Sequence, residues 1–318
     1  MRTRTLGRTA IEVSEIGLGC WSLAGEAYGP VERSVARATI EAALDAGCTV
    51  IELASCYGKK GEEIDSLVGE VIEGRDRSKL RIVLRIGVDR ESDPPRKRFD
   101  RGSMLRMLES SLQRLRTQYV DVVLLHNPLS STLERSFDAL DALASFRERG
   151  LATAMGASVG GYDAAKSALK QSIDVIELPY NVLAPRLLHS IVPDLQRLHV
   201  GVIARSPLAY GALADSWSAD RQFAADDHRS LRWSAEELGR RVRQREVLRP
   251  FVKDSVRDLR EAAIRYVLAN NAVHCAVVGA RTPEMAKANA IAAETLPYLD
   301  PAVFSSLGQR MEEEGIMS

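Results

Sequence analysis

Eight short apolar runs, separated by stretches of helical periodicity, constrain this chain more than anything else in it. They are Ile16–Cys20, Val50–Leu53, Ile82–Ile86, Val120–Leu125, Ala152–Ala157, Val175–Leu178, Val200–Ala204 and Cys275–Val278. Between them, apolar residues recur at helical spacing, as in Ser103–Leu115 with Met104, Leu105, Leu108, Leu112 and Leu115. Leu133–Phe146 and Val256–Leu268 repeat the pattern. Strands alternating with helices predict parallel pairing, and eight of them close a (β/α)8 TIM barrel of the α/β class. An open doubly wound sheet is the competing architecture, and it calls for Gly-x-Gly-x-x-Gly after the first strand. Here Gly17-Leu18-Gly19-Cys20 lacks the third glycine and runs into Trp21. Residues 1–14 read as a β-hairpin turning at Gly7-Arg8, and a helical extension is expected after the last strand.

At 318 residues, with no repeat, low-complexity tract or linker, the chain is expected to form one barrel domain over residues 1–318. Lys+Arg and Asp+Glu number 43 each, so no net field draws in nucleic acid or an acidic membrane surface. No signal core or membrane-length run is present. Cys20, Cys48, Cys56 and Cys275 make a poor disulfide framework, so reduced thiols in the cytoplasm are expected. The five histidines, His126, His189, His199, His228 and His274, show no ligand spacing, and no metal is expected. Alternation lapses only between Leu213 and Leu248. That charged stretch reads as a phosphate-binding or lid segment, or as a solvated helix of mixed charge.

Polar groups interrupt the apolar runs near their C-terminal ends. Glu52 lies near the end of the second run, Arg85 near the end of the third, and His126 follows the fourth; Tyr57 precedes Gly58 five residues after Glu52. Polar groups at one end of consecutive barrel strands are how this fold assembles a site. A tyrosine with a pKa of about 10 is a poor proton donor at neutrality unless a fixed cation assists it. Arg85 is that cation, Glu52 its counter-ion, and His126 a partner for a substrate carbonyl.

With these residues placed, the chain resembles the aldo-keto reductase superfamily nearly from end to end. Leu6-Gly7-Arg8-Thr9 with Val13–Gly19 is similar to the family's opening, and Gly47–Gly58 to its G-x-N-F-x-D-T-A-x-x-Y-G block. Tyr119–His126 matches the strand that delivers the family histidine. Ser206–Leu213 and Val278–Glu284 match the two cofactor loops. The resemblance implies hydride transfer between a nicotinamide cofactor and a carbonyl or alcohol substrate. The tyrosine (Tyr57) is the proton donor there, assisted by His126 and by an aspartate and a lysine. Those last two fall on Glu52 and Arg85, so two of four members are changed. Arginine stays charged but presents a larger fork than lysine.

The resemblance also assigns the cofactor positions. Ser158 and Glu177 take the carboxamide, with Val159 and Glu177 in place of the usual asparagine and glutamine. Arg205 stands where an aromatic often stacks, followed by Ser206, Pro207, Leu208 and Gly211. Gly279, Ala280, Arg281, Thr282, Met285 and Asn289 make the second loop. Independently of the family, Thr282-Pro283-Glu284 reads as a helix start, with an N-cap hydroxyl and proline first. Such a terminus attracts an anion, and Arg281 beside it suits a 2′-phosphate, so NADPH is expected in preference to NADH.

Two other readings stand beside this one. One is a catalytically silent nucleotide-binding sensor or subunit, favoured by the substituted tetrad. The other is a hydrolase using Glu52 and Glu177 as paired carboxylates. Substrate selection falls to Trp21–Pro30, Gly87–Phe99, Asn127–Thr132 and Leu213–Leu248, where Trp21, Tyr28 and Trp217 can wall a ring-shaped substrate. The sequence does not reveal the oligomeric state.

Overall fold

In the computed structural model, residues 1–317 are described, except 60, 62, 93, 136, 215 and 216. Parts of the Gly87–Phe99 and Leu213–Leu248 segments therefore lie outside the described residues. Strands β1 (Thr3–Thr5) and β2 (Glu12–Ser14) pair antiparallel as the expected hairpin. The chain then runs through β3 (Ile16–Gly19), β4 (Val50–Ala54) and β5 (Arg81–Ile86). A small antiparallel ladder, β6 (Val88–Asp89) with β7 (Arg96–Lys97), decorates the loop after β5. The remaining strands are β8 (Val120–His126), β9 (Ala152–Ser158), β10 (Val175–Pro179), β11 (Gly201–Arg205) and β12 (Cys275–Gly279). Eight of these close a parallel barrel in the order β10-β11-β12-β3-β4-β5-β8-β9.

Each predicted apolar run coincides with one of these strands to within one residue at either end. Helices Arg101–Arg114 and Leu259–Leu268 follow the predicted periodicity, and Asp100 and Asp258 cap their first turns. The periodicity expected over Leu133–Phe146 is helical throughout its described residues, in Ser130–Arg135 and Phe137–Glu148. Short helices Pro301–Phe304 and Leu307–Glu313 form the C-terminal extension.

Alternation along each strand divides the apolar residues into two sets. Ile51, Leu53, Ile82, Leu84, Ile86, Val123 and Leu125 face the helices in the larger core. Val50, Val83, Val122, Leu124, Ala154, Val175 and Ile203 fill the barrel interior. The hairpin closes the bottom of that interior by sending in Leu6, Ile11 and Val13. Gly7 makes this possible: its φ is +57°, and a Cβ there would lie 2.2 Å from the Gly201 nitrogen.

Candidate active site

The interior apolar layer stops partway up the barrel, and polar residues continue on the same face. Two residues beyond Val50 stands Glu52; beyond Val83, Arg85; beyond Leu124, His126; beyond Val175, Glu177; beyond Ile203, Arg205. Ser158 belongs to the same layer, with His126 paired to Ser158 and Ser158 to Glu177 in the strand registers. The strand period of two thus carries these side chains to the inside of the mouth. Glycines 17, 19 and 156 keep space in the interior; a Cβ on Gly19 would lie 2.9 Å from Val277.

Arg85 is the hub of this layer. Its Nη2 lies 2.5 Å from Glu52 Oε1 and also donates to the Tyr57 hydroxyl, while its Nε lies 3.7 Å from Glu177 Oε2. All four side chains are buried. The arginine fork therefore reaches tyrosine and acid together, from β5 to β4 and across the barrel towards β10. Two carboxylates share one cation here, and the effect on Glu52 follows. Burial pushes its carboxyl up, Arg85 pulls it down, Glu177 adds repulsion, and the balance stands at about 7. The 2.5 Å ion pair does not keep Glu52 acidic, because desolvation and the second carboxylate outweigh it.

Tyr57 sits on the turn after β4, its amide donating to Ala54 O at 3.0 Å, with Gly58 at φ +87° completing the turn. Burial drives its phenol well above the ordinary value of 10; Arg85 opposes that shift without overcoming it. The sequence leads one to expect a cation that lowers the tyrosine, and Arg85 only limits how far it rises. The His126 ring stands edge-on to Tyr57 with centroids 6.2 Å apart. Burial holds its pKa well below 6.5, reinforced by Arg85, Arg205 and Lys97, so the imidazole is neutral. Its Nδ1 lies 3.7 Å from Cys56 Sγ, and burial raises that thiol to about 11. A protonated thiol can donate to Nδ1, the arrangement that places the ring proton on Nε2.

The positions assigned to a cofactor are partly brought together. Ser158 Oγ and both carboxylate oxygens of Glu177 are buried without a hydrogen-bond partner among the described residues. After β11 the backbone enters left-handed conformations at Ser206, Ala209 and Tyr210 (φ +57°, +46° and +61°), which turn the Ser206–Gly211 loop tightly over the mouth. Pro207 and Leu208 lie within it. Thr282 caps the helix Pro283–Ile291 by accepting from the Met285 amide at 3.3 Å, and Met285 is exposed beside this terminus. Asn289 Nδ2 donates to Gly279 O, and Ser22 Oγ to Ala280 O, fixing the second loop. Arg281 differs from expectation. Its guanidinium donates to the carbonyls of Tyr28, Gly29 and Pro30 at 2.7, 3.2 and 3.0 Å, so it ties two loops together.

The Aldo/keto reductase family model matches residues 15–308, which covers all eight barrel strands. The chain belongs to the aldo-keto reductase family. Members are NAD(P)H-dependent oxidoreductases built on this barrel. Among curated proteins, the aldo-keto reductase YhdN of Bacillus subtilis is 27% identical over 72% of this chain and 69% of its own length. The uncharacterized oxidoreductase YqkF of the same organism is 27% identical over 92% and 91%. Among solved structures, the holo form of aldo-keto reductase AKR11C1 from Bacillus halodurans superposes with a TM-score of 0.80 at 24% identity, covering 98% of this chain and 96% of that one. The glycerol dehydrogenase AKR11B4 from Gluconobacter oxydans does so at 0.83 and 20%, covering 98% and 95%. At these identities the structural likeness concerns the fold.

On this aldo-keto reductase barrel, residues 217–233 of the Leu213–Leu248 segment pack against the loops at the mouth. Its helix Ala235–Gln244 is the solvated, mixed-charge element expected, with Ser234 and Glu237 forming a capping box. The residues before that helix turn inward. His228 donates its amide to Ala27 O, and its ring lies 4.8 Å from both Trp21 and Tyr28. Trp21 in turn stacks 6.4 Å from Tyr57. Arg229 pairs with Asp227 at 2.5 Å and lies over the rings of Tyr28, Trp217 and Phe223. Arg232 covers Tyr210 at 3.6 Å. Sequence reading marked Trp21, Tyr28 and Trp217 but missed His228 and the two arginines. Nothing local distinguishes those from other loop residues, because their partners lie far away in the chain.

Proposed function

We propose that this protein is a cytoplasmic oxidoreductase interconverting a carbonyl and an alcohol, with NADPH preferred over NADH, and that one barrel domain over residues 1–318 carries it. Tyr57 acts as proton donor. The observation that carries the reading is the buried Arg85–Tyr57 hydrogen bond with neutral His126 edge-on to the phenol. The residues fit a nicotinamide nucleotide: Ser158 and Glu177 would hold its carboxamide, Arg205 would lie against its ring, and the Ser206–Gly211 loop and the Thr282-capped helix would take its phosphates. When bound, that group supplies or accepts the hydride.

The chain's own residues manage the proton. His126 Nε2–H donates to the substrate oxygen and orients it towards Tyr57. The Tyr57 hydroxyl gives its proton to the oxygen as the alcohol forms, leaving a phenolate that Arg85 Nη2 stabilises until solvent reprotonates it. Trp21, Tyr28 and His228 exclude water and present aromatic faces to the substrate.

Replacing Tyr57 by Phe should reduce kcat by at least about 100-fold, on the scale of losing a general acid, while leaving cofactor affinity within about twofold. An unchanged rate would remove Tyr57 from this role. NADPH should bind only modestly tighter than NADH, by less than about tenfold, because Arg281 is already bonded to the 28–30 carbonyls. Calorimetric titration measures both affinities.

A silent nucleotide-binding sensor is the second reading. It is favoured by the ion pairs that commit Arg85 to Glu52 and Glu177. Tight NADPH binding without turnover on a panel of aldehydes and ketones would select it.

A further inference from the structure

We propose that the cavity beside the Tyr57 turn, walled by Ser55, Arg90 and Arg106, binds a small oxyanion. The cavity measures about 340 Å3 and lies between the end of β4, the segment around β6 and one face of the helix Arg101–Arg114. That helix contributes positions 103, 106, 107, 110 and 114, the spacing of a single helical face. The volume is at the lower end for small-molecule sites, which span roughly 300–1,000 Å3. None of Glu52, Tyr57, Arg85 and His126 lines it.

The hydrogen-bond inventory of its wall decides what it can take. Arg90 Nη1 is buried without an acceptor among the described residues, and its Nη2 is 3.8 Å from Glu63 Oε1. Ser55 is 5% exposed, and its Oγ is likewise buried without a partner among them. The other charges of the wall are engaged. Arg114 donates twice to Asp65, at 2.7 and 2.8 Å. Asp89 accepts from the Glu91 amide at 3.0 Å and lies 3.5 Å from Arg98. Glu91 acts electrostatically on Arg114, and Arg106 donates to Ser103 Oγ at 3.0 Å. The groups left over are a guanidinium N–H, which can only donate, and a hydroxyl, which can donate. A ligand completing this wall must present acceptor oxygens, and the Arg90 guanidinium is the charge that such an oxyanion would meet across from Asp89 and Glu91. A carboxylate and a phosphate share that chemistry.

The test needs no turnover, so it succeeds or fails independently of the role given to Tyr57. The whole protein is titrated by calorimetry with inorganic phosphate, and separately with acetate, alongside the Arg90→Met and Ser55→Ala variants. Saturable binding of either anion that weakens at least about tenfold in Arg90→Met supports the site. Which anion binds tells a phosphate site from a carboxylate one. If Arg90→Met fails to fold, a drop in affinity in Ser55→Ala serves instead. No saturable binding of either anion would overturn the proposal, leaving a solvent-filled cavity. Binding indifferent to both substitutions would overturn it too, because the anion would then sit elsewhere, as at the Thr282 helix terminus.

Discussion

Arg85 holds Tyr57, Glu52 and Glu177 in one buried cluster, and its size is what allows this. A lysine ammonium is a compact point, whereas the guanidinium presents separate N–H groups on different edges. One edge serves both Glu52 and Tyr57, and Nε faces Glu177. The lengthened acid and the enlarged cation therefore act together with a third substitution on the far side of the barrel. Replacing Arg85 by Met leaves two buried carboxylates facing each other. It should cost about 3–5 kcal/mol of stability, measured by urea denaturation. Glu52 gives the site a pH dependence. Its ordinary value is 4.5 and its folded value about 7, so the fold holds a proton there that the unfolded chain releases. Its stabilising contribution is full below pH 4.5 and is lost as the pH rises through about 7. The denaturation midpoint should fall between pH 5 and pH 8, and Glu52→Gln should shrink that fall. Carbonyl reduction should slow over the same window, because the ionised Glu52 offsets the Arg85 charge that helps Tyr57 release its proton. Cys56 acts through His126: Cys56→Ala removes the thiol that can donate to Nδ1 and hold the ring proton on Nε2. It should lower kcat several-fold with little change in KM, as steady-state kinetics on the two proteins can check.

At the level of strands and helices, the parity that separates the two cores also explains why the barrel was readable in advance. Apolar runs such as Ile82–Ile86 are packed on both faces, and nothing polar interrupts them until the mouth is reached. Glu52, Arg85 and His126 stand out for the same reason: each is a polar residue at an inward position where an apolar one would otherwise sit. The Arg85–Glu177 contact was not readable, because its partners lie across the barrel and 92 residues apart. The packing of residues 217–233 at the mouth escaped as well, since cation–π contacts such as Arg229 over Tyr28 leave no periodic trace. Close strand packing makes its own demand at Gly156, opposite Val175 in the β9–β10 register. A Cβ there would fall 1.7 Å from the Val175 carbonyl oxygen. Gly156→Ala should destabilise by at least about 1–3 kcal/mol, the range for overpacking, and lower the thermal midpoint in calorimetry.

Across the whole molecule, the hairpin under the barrel is bound to segments far along the chain. Arg2 donates to Ala293 O at 2.6 Å and to the Tyr298 hydroxyl at 3.0 Å, and Arg4 to Val273 O at 2.5 Å and Leu268 O at 3.0 Å. Glu15 receives both guanidiniums, at 3.1 and 2.8 Å. Strand β3 likewise pairs with β12 to close the ring. These contacts join residues separated by as many as 296 positions. During synthesis, Leu6, Ile11 and Val13 leave the ribosome long before their last partners exist. At a translation rate of about 5–20 residues per second, that interval is on the order of 15–60 s. Through that wait the hairpin's apolar face has no finished barrel to enter.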